Sequence, residues 1–107
     1  MFARVLNYDV KPEKKQEFVK VLKNEVLPIL GKQTGFLEVL PFFPEQTTEK
    51  AITISLWATK ADAERYEKEF YPKVHEIIKP YLATPIVVRP YTVETTLCQH
   101  FVDALAA

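Results

Sequence analysis

His75 is the side chain in this 107-residue sequence best suited to moving a proton near neutral pH. A neutral imidazole, whose ordinary pKa is about 6.5, can accept a proton from a phenol as a general base. On a helix, Tyr71, His75 and Ile78 would share one face. The alternative is a half-exposed surface histidine without a catalytic role. The second histidine, His100, lies in the C-terminal tail and is the weaker candidate.

Aromatic side chains are numerous enough to line a pocket that stacks a planar substrate. A place in the core or in a subunit interface is the alternative for each of them, and it is the favoured one for Trp57. The candidates are Tyr8, Trp57, Tyr66 and Tyr91.

Polar side chains interrupt strands that are otherwise apolar. Arg4 and Arg89 would each need a partner for their charge, which Glu38 or Glu94 can supply. The alternative for Arg89 is to bind an anionic substrate. Asn7 is polar within an apolar strand face, where it either bonds a neighbouring loop or belongs to a site.

The composition excludes several other classes of function. Lysine plus arginine and aspartate plus glutamate number 14 each, so no net charge attracts nucleic acid or an acidic membrane. The sequence has no glycine-rich phosphate loop, no Ser-His-Asp spacing and no cluster of metal ligands, and Cys98 lies in no nucleophile motif. No apolar run approaches the ~20 residues of a membrane helix. A lone cysteine favours a reducing, cytoplasmic compartment.

The elements that must position these side chains follow from the hydrophobic periodicity. Apolar residues three and four apart predict a helix over 13–30, kinked at Pro28, and a second over 60–82, broken at Pro72. The tail 96–107 can form a short helix through Leu97, Phe101 and Leu105. Alternating or β-branched segments predict strands at 2–10, 36–43, 51–58 and 86–95.

The order β-α-β-β-α-β predicts a single ferredoxin-like α+β domain over 1–107, with its core in 2–95. In this fold two helices cover one face of a four-stranded antiparallel sheet. The strands are apolar on both sides, as Phe2 and Leu6 on one face and Ala3 and Val5 on the other illustrate. The face without helices is therefore predicted to pair with a second copy, which gives a homodimer.

Two segments, VKPEKKQEFVKVLKNEVLPILGKQTGF and ITISLWATKADAERYE, followed by a proline-bounded strand, resemble the antibiotic biosynthesis monooxygenase family of dimeric α/β barrels. The resemblance runs over residues 2–95. It implies direct attack of dioxygen on a deprotonated small aromatic or quinol substrate, without a cofactor. Haem-degrading enzymes are a second branch of the superfamily, so haem is the alternative cofactor.

The resemblance also implies site residues. In the haem-degrading branch, an asparagine of the first strand and a tryptophan and a histidine of the second helix are functional. Asn7, Tyr66 and His75 stand at or near those positions, with tyrosine in place of tryptophan, and become the predicted catalytic residues. The predicted substrate-binding residues are Trp57, Tyr71, Arg89 and Tyr91. A non-catalytic dimeric protein that binds a hydrophobic small molecule is the competing hypothesis.

Overall fold

The computed structural model describes residues 1–46 and 49–99. Its strands are β1 (Phe2–Tyr8), β2 (Phe36–Phe42), β3 (Ala51–Trp57) and β4 (Val87–Thr92). Its α-helices are α1 (Lys15–Val21), α2 (Leu27–Gly31), α3 (Lys60–Glu69) and α4 (Tyr71–Ile78). The predicted order is confirmed, while the predicted tail helix through Phe101 and Leu105 lies outside the described residues, as does His100.

The sheet is antiparallel with the order β2-β3-β1-β4, which is that of the ferredoxin-like fold. β1 lies in the centre, where Leu6 pairs with Thr53 of β3 and with Val88 of β4. Both edge strands contain a proline, Pro41 in β2 and Pro90 in β4. Proline is tolerated at these edges, whereas in a central strand it would remove a hydrogen bond of the ladder.

The predicted alternation of side chains in β1 and β3 is confirmed. Phe2, Leu6 and Tyr8 are buried beneath the helices together with Phe18 and Trp57. The opposite face of the sheet carries no helix among the described residues, and several of its large apolar side chains remain accessible, although Leu56 on this face is only 6% exposed. The accessible ones include Leu40, Phe42 and Val87, of which Phe42 is 50% exposed.

The first helical segment, residues 15–31, changes from α-helical to π-helical geometry halfway along its length. Between α1 and α2, Leu22–Val26 forms a π turn, and the Leu27 N–H donates to the Leu22 carbonyl oxygen. The predicted kink at Pro28 thus takes the form of a wide turn that precedes it. The physical reason is that Pro28 has no N–H for the Asn24 carbonyl and its ring would crowd that carbonyl in a regular helix.

The start of α3 is fixed by local hydrogen bonds. Thr59 Oγ1 accepts from the Asp62 N–H at 3.1 Å and so caps the helix. The carbonyl of Gly35, whose φ is +82°, accepts from the Ala58 N–H at 2.8 Å just before that cap. The predicted break is also confirmed, because α3 ends at Glu69 and Pro72 lies in the first turn of α4.

No helix within residues 1–46 and 49–99 has both the length and the apolar character needed to cross a bilayer.

Candidate active site

A small cavity lies between the helices and the covered face of the sheet. Its volume is about 70 Å³, and most of its wall is apolar. Val26 and Leu30 from the first helical segment and Val74 and Ile78 from α4 form much of this wall. The polar residues that line it are Arg4, Tyr8, Thr53, Ser55, Tyr66 and Tyr71.

Tyr8 closes one side of the cavity with its hydroxyl already engaged. Its Oη lies 2.5 Å from Thr53 Oγ1, and its ring meets Phe18 edge-on at 5.8 Å between centroids. Burial raises the pKa of Tyr8 above 10.0, so the phenol is neutral at physiological pH.

Arg4 supplies the positive charge of the cavity. The residue is only 4% exposed, and its guanidinium carbon lies 4.5 Å from the ring centroid of Tyr71 and 5.2 Å from that of Tyr66. Its Nη2 atom is 3.6 Å from Oε1 of Glu67, whose side chain is 50% exposed. Within the described residues, Arg4 Nε and Nη2 make no hydrogen bond.

The expected partners of Arg4 were therefore wrong. Glu38 is paired with Leu56 in the ladder and so projects from the opposite face of the sheet. Glu94 follows β4 and bonds Thr96 instead. The partner comes from the middle of α3, which strand patterns alone do not bring to Arg4.

Tyr66 and Tyr71 form the aromatic wall beside Arg4. Tyr66 stacks on Trp57 with ring centroids 4.9 Å apart, and burial raises the pKa of Tyr66 to about 12 against the lowering effect of Arg4. Burial likewise raises the pKa of Tyr71. The Tyr71 hydroxyl is buried and makes no hydrogen bond within the described part of the chain. Both phenols are thus neutral at physiological pH.

A shallow cleft reaches Arg4 from the other side, between α3 and β4. It is open to solvent, with a volume of about 480 Å³. Glu64 and Glu67 of α3 and Pro90 and Tyr91 of β4 line it. Arg4 therefore separates this cleft from the cavity.

The family model described as antibiotic biosynthesis monooxygenase matches residues 1–76, which is most of the chain. The chain belongs to the antibiotic biosynthesis monooxygenase family. No curated protein matches it in sequence.

Solved structures share the fold of this family member at low sequence identity. SnoaB from Streptomyces nogalater, a cofactor-independent oxygenase, superposes with a TM-score of 0.74 at 14% identity, over 92% of this chain and 97% of that one. A protein assigned to the antibiotic biosynthesis monooxygenases of Caulobacter crescentus gives 0.71 at 20% identity, over 87% and 90%. A MhuD variant with two manganese protoporphyrin IX molecules per active site gives 0.72 at 14% identity, over 88% and 95%.

The structure brings together part of the site predicted for this monooxygenase-family chain. Tyr66 and Tyr71 line the cavity. Trp57 is fully buried behind Tyr66 and donates to Ser55 Oγ at 3.0 Å. His75 is half-buried next to Tyr71, with ring centroids 6.1 Å apart, and does not line the cavity. The catalytic and binding roles of these residues stay predictions.

Asn7, one of the predicted catalytic residues, does not line the cavity. Positions 4, 6 and 8 of β1 line the cavity, so Asn7 projects from the opposite face, where its ladder partners are Ile52 and Val87. Arg89 is exposed on that same face, opposite Val5. Tyr91 lies at the cleft beside β4, away from the cavity.

The predicted site omitted Arg4, Thr53 and Ser55, and it included Tyr8 only as a candidate for the aromatic pocket. The signal was present in the alternation, because Arg4 and Tyr8 share a strand face with Leu6. Because both faces of the sheet are apolar, that signal could be used only once it was known which face the helices cover.

Proposed function

We propose that the protein is a cofactor-independent monooxygenase that oxidises a small aromatic, quinol-type substrate with dioxygen. The observation that carries this proposal is the cavity, in which neutral Tyr66 and Tyr71 and the single charge of Arg4 face apolar walls. Such a site can exclude water and orient a flat ring by a few polar contacts. Membership of the family and the fold shared with a cofactor-independent oxygenase support it.

Anthrones illustrate the balance of the reaction. The deprotonated substrate supplies electrons to dioxygen, and a carbon–oxygen bond forms at the methylene carbon. The oxygen–oxygen bond then breaks, one oxygen remains as a carbonyl, and the other leaves as water with the two hydrogens of that carbon. The protein needs to bind the anion and to exclude water from the reacting carbon.

The test is dioxygen consumption by a panel of anthrones and hydroquinones. The wild-type protein is expected to accelerate oxidation over buffer, and Tyr66→Phe and His75→Ala are expected to slow it. Asn7→Ala is the matched control, because Asn7 lies on the other face of the sheet. Failure of the whole panel to react faster than in buffer would refute the proposal, and binding without oxidation would favour the non-catalytic hypothesis.

Haem is the alternative cofactor, and the residues of the cavity do not favour it. The cavity has a volume of about 70 Å³, and His75 is not among the residues that line it. Titration with haem is therefore expected to give no Soret shift that depends on His75. A shift that disappears in His75→Ala would contradict this expectation.

We also infer that the open face of the sheet pairs with a second copy of the chain. Proteins of this family are commonly dimeric. The face carries accessible apolar side chains, Leu40, Phe42 and Val87 among them, around half-buried Val5 and Ile54. A self-complementary patch of this kind suits a two-fold dimer, and it leaves the cavity on the opposite face accessible. A cytoplasmic location remains a prediction that rests on the single cysteine.

A further inference from the structure

We infer that Arg4 binds an ionised oxygen of the ligand, with the Tyr71 hydroxyl as a second donor. The inference rests on the proposed function, whose deprotonated substrate carries such an oxygen, and it assigns the residues that bind it. A phenolate, an enolate and the monoanion of a quinol share this chemistry.

The first reason is that the charge of Arg4 is buried and incompletely paired. Buried guanidinium groups are normally held by hydrogen-bonded carboxylates, because an uncompensated buried charge is costly. Here the nearest carboxylate, that of Glu67, stands 3.6 Å from Nη2 and is half exposed. Screening by solvent weakens such a pair. Arg4 Nε and Nη2, which make no hydrogen bond to the described residues, are thus available to an anion.

The second reason is that several buried donors near the cavity lack an acceptor among the described residues. The faces of the Tyr66 and Tyr71 rings lie 5.2 and 4.5 Å from the guanidinium carbon, so they stabilise its charge without neutralising it. Arg4 Nε, Arg4 Nη2 and Tyr71 Oη are buried without a hydrogen bond to the described residues. An oxyanion offers several lone pairs to such a group of donors, whereas a hydrocarbon offers none.

The third reason is that the protein does not supply the negative charge itself. Burial raises the pKa of Tyr66 to about 12 and raises that of Tyr71 in spite of the neighbouring cation. Neither phenol becomes a tyrosinate near neutral pH. Glu67 lines the solvent-open cleft and is not among the residues of the cavity, so a counter-charge on the cavity side must come with the ligand.

4-Nitrophenol is a suitable probe, because its ionised form is yellow and dioxygen does not oxidise it under mild conditions. A positive charge nearby lowers the pKa of a bound phenol by about one unit or more, whereas burial in an apolar site raises it. We expect bound 4-nitrophenol to ionise at lower pH than the free compound. Absence of binding, or a bound pKa at or above that of free 4-nitrophenol, would overturn the inference.

Two pairs of variants test the role of Arg4. Arg4→Gln is expected to raise the pKa of bound 4-nitrophenol above that of the free compound, and 4-nitroanisole, which cannot ionise, should bind wild type and variant alike. Glu67→Gln removes the competing carboxylate and is expected to tighten binding of the phenolate by about two- to fivefold. Glu64→Gln is the control, since it makes the same change of charge on α3 at a carboxylate that pairs with Lys60 at 3.8 Å.

These outcomes separate the two proposals. Should Arg4→Gln fail to fold, the comparison of Glu67→Gln with Glu64→Gln decides, and equal effects in both would overturn a specific role for Arg4. Phenolate binding at Arg4 without oxidation of the substrate panel would refute the proposed function and leave the anion site standing. Oxidation of the substrate panel without binding of the phenolate would support the proposed function and refute the anion site at Arg4.

Discussion

Tyr66 shows at the scale of one residue how burial sets protonation in this fold. It is 3% exposed and stacked on Trp57, and its pKa rises from 10.0 to about 12 mainly because the charged form would be desolvated. A raised folded-state pKa means that the folded protein holds this proton more tightly than the unfolded chain. Its contribution to stability is thus complete below pH 10 and is lost as the pH rises towards 12.

The Tyr66→Phe variant should therefore resist alkali better than the wild type, relative to its own stability at neutral pH. At about 1.4 kcal/mol per pKa unit, the shift corresponds to a loss of roughly 3 kcal/mol for the wild type once Tyr66 ionises. Urea unfolding at neutral pH and at several values above pH 10 measures the difference. Parallel losses in the two proteins would contradict the assignment.

Gly35 is a second residue whose identity is fixed by its surroundings. Its φ is +82°, and a Cβ atom there would lie 2.1 Å from Asp62 Oδ2. We expect Gly35→Ala to reduce the free energy of unfolding by about 1–3 kcal/mol, since it adds both backbone strain and a clash. Gly31→Ala is the control, because a Cβ at Gly31 meets nothing within 4 Å. Urea midpoints compare the two, and equal losses would show that the turn at Gly35 is not as constrained as described.

At the scale of elements, the wall of the cavity is its least regular part. Leu22 and Val26 of the π turn and Leu27 of α2 line the cavity, and Leu27 is 43% exposed. The volume of about 70 Å³ is roughly half that of an engineered cavity that holds benzene. An aromatic ligand therefore requires this wall to move outward, and π turns are frequent at functional sites.

Hydrogen exchange should locate that movement. Amides of the π turn Leu22–Val26 are expected to exchange faster than those of α3 in the free protein, and to change most in protection when 4-nitrophenol binds. α3 serves as the internal control, because it is a regular capped helix. Uniform changes across both segments would show that the wall does not open locally.

The helices and strands were predictable because their apolar residues recur with different periods. The site was only half predictable. Alternation assigned Leu6 and Asn7 to opposite faces, and Pro28 marked an irregular helix. With both faces apolar, no local pattern indicates which face the helices cover, so the alternation could not test the choice of Asn7, which came from the family resemblance. The pairing of Arg4 with Glu67 joins β1 to α3, and such a contact arises only from tertiary packing.

At the scale of the whole molecule, the proposed dimer makes a direct prediction. Leu40→Lys places a charge on the open sheet face, where Leu40 is 39% exposed, and is expected to weaken dimerisation at least about tenfold. Val19→Lys is the matched control, because Val19 is 43% exposed on α1, away from that face. Sedimentation equilibrium measures both. A monomeric wild type, or equal behaviour of the two variants, would refute a dimer through this face.

The two edge prolines limit how far such molecules can assemble. A neighbouring chain that tried to extend the sheet sideways would meet Pro41 on one border and Pro90 on the other. Each proline has a ring in place of the backbone N–H that an added strand would need as a hydrogen-bond donor. Fibre-like growth is therefore obstructed at both edges of the sheet. Crowded solutions of this protein should consequently favour finite complexes over open-ended β-aggregates.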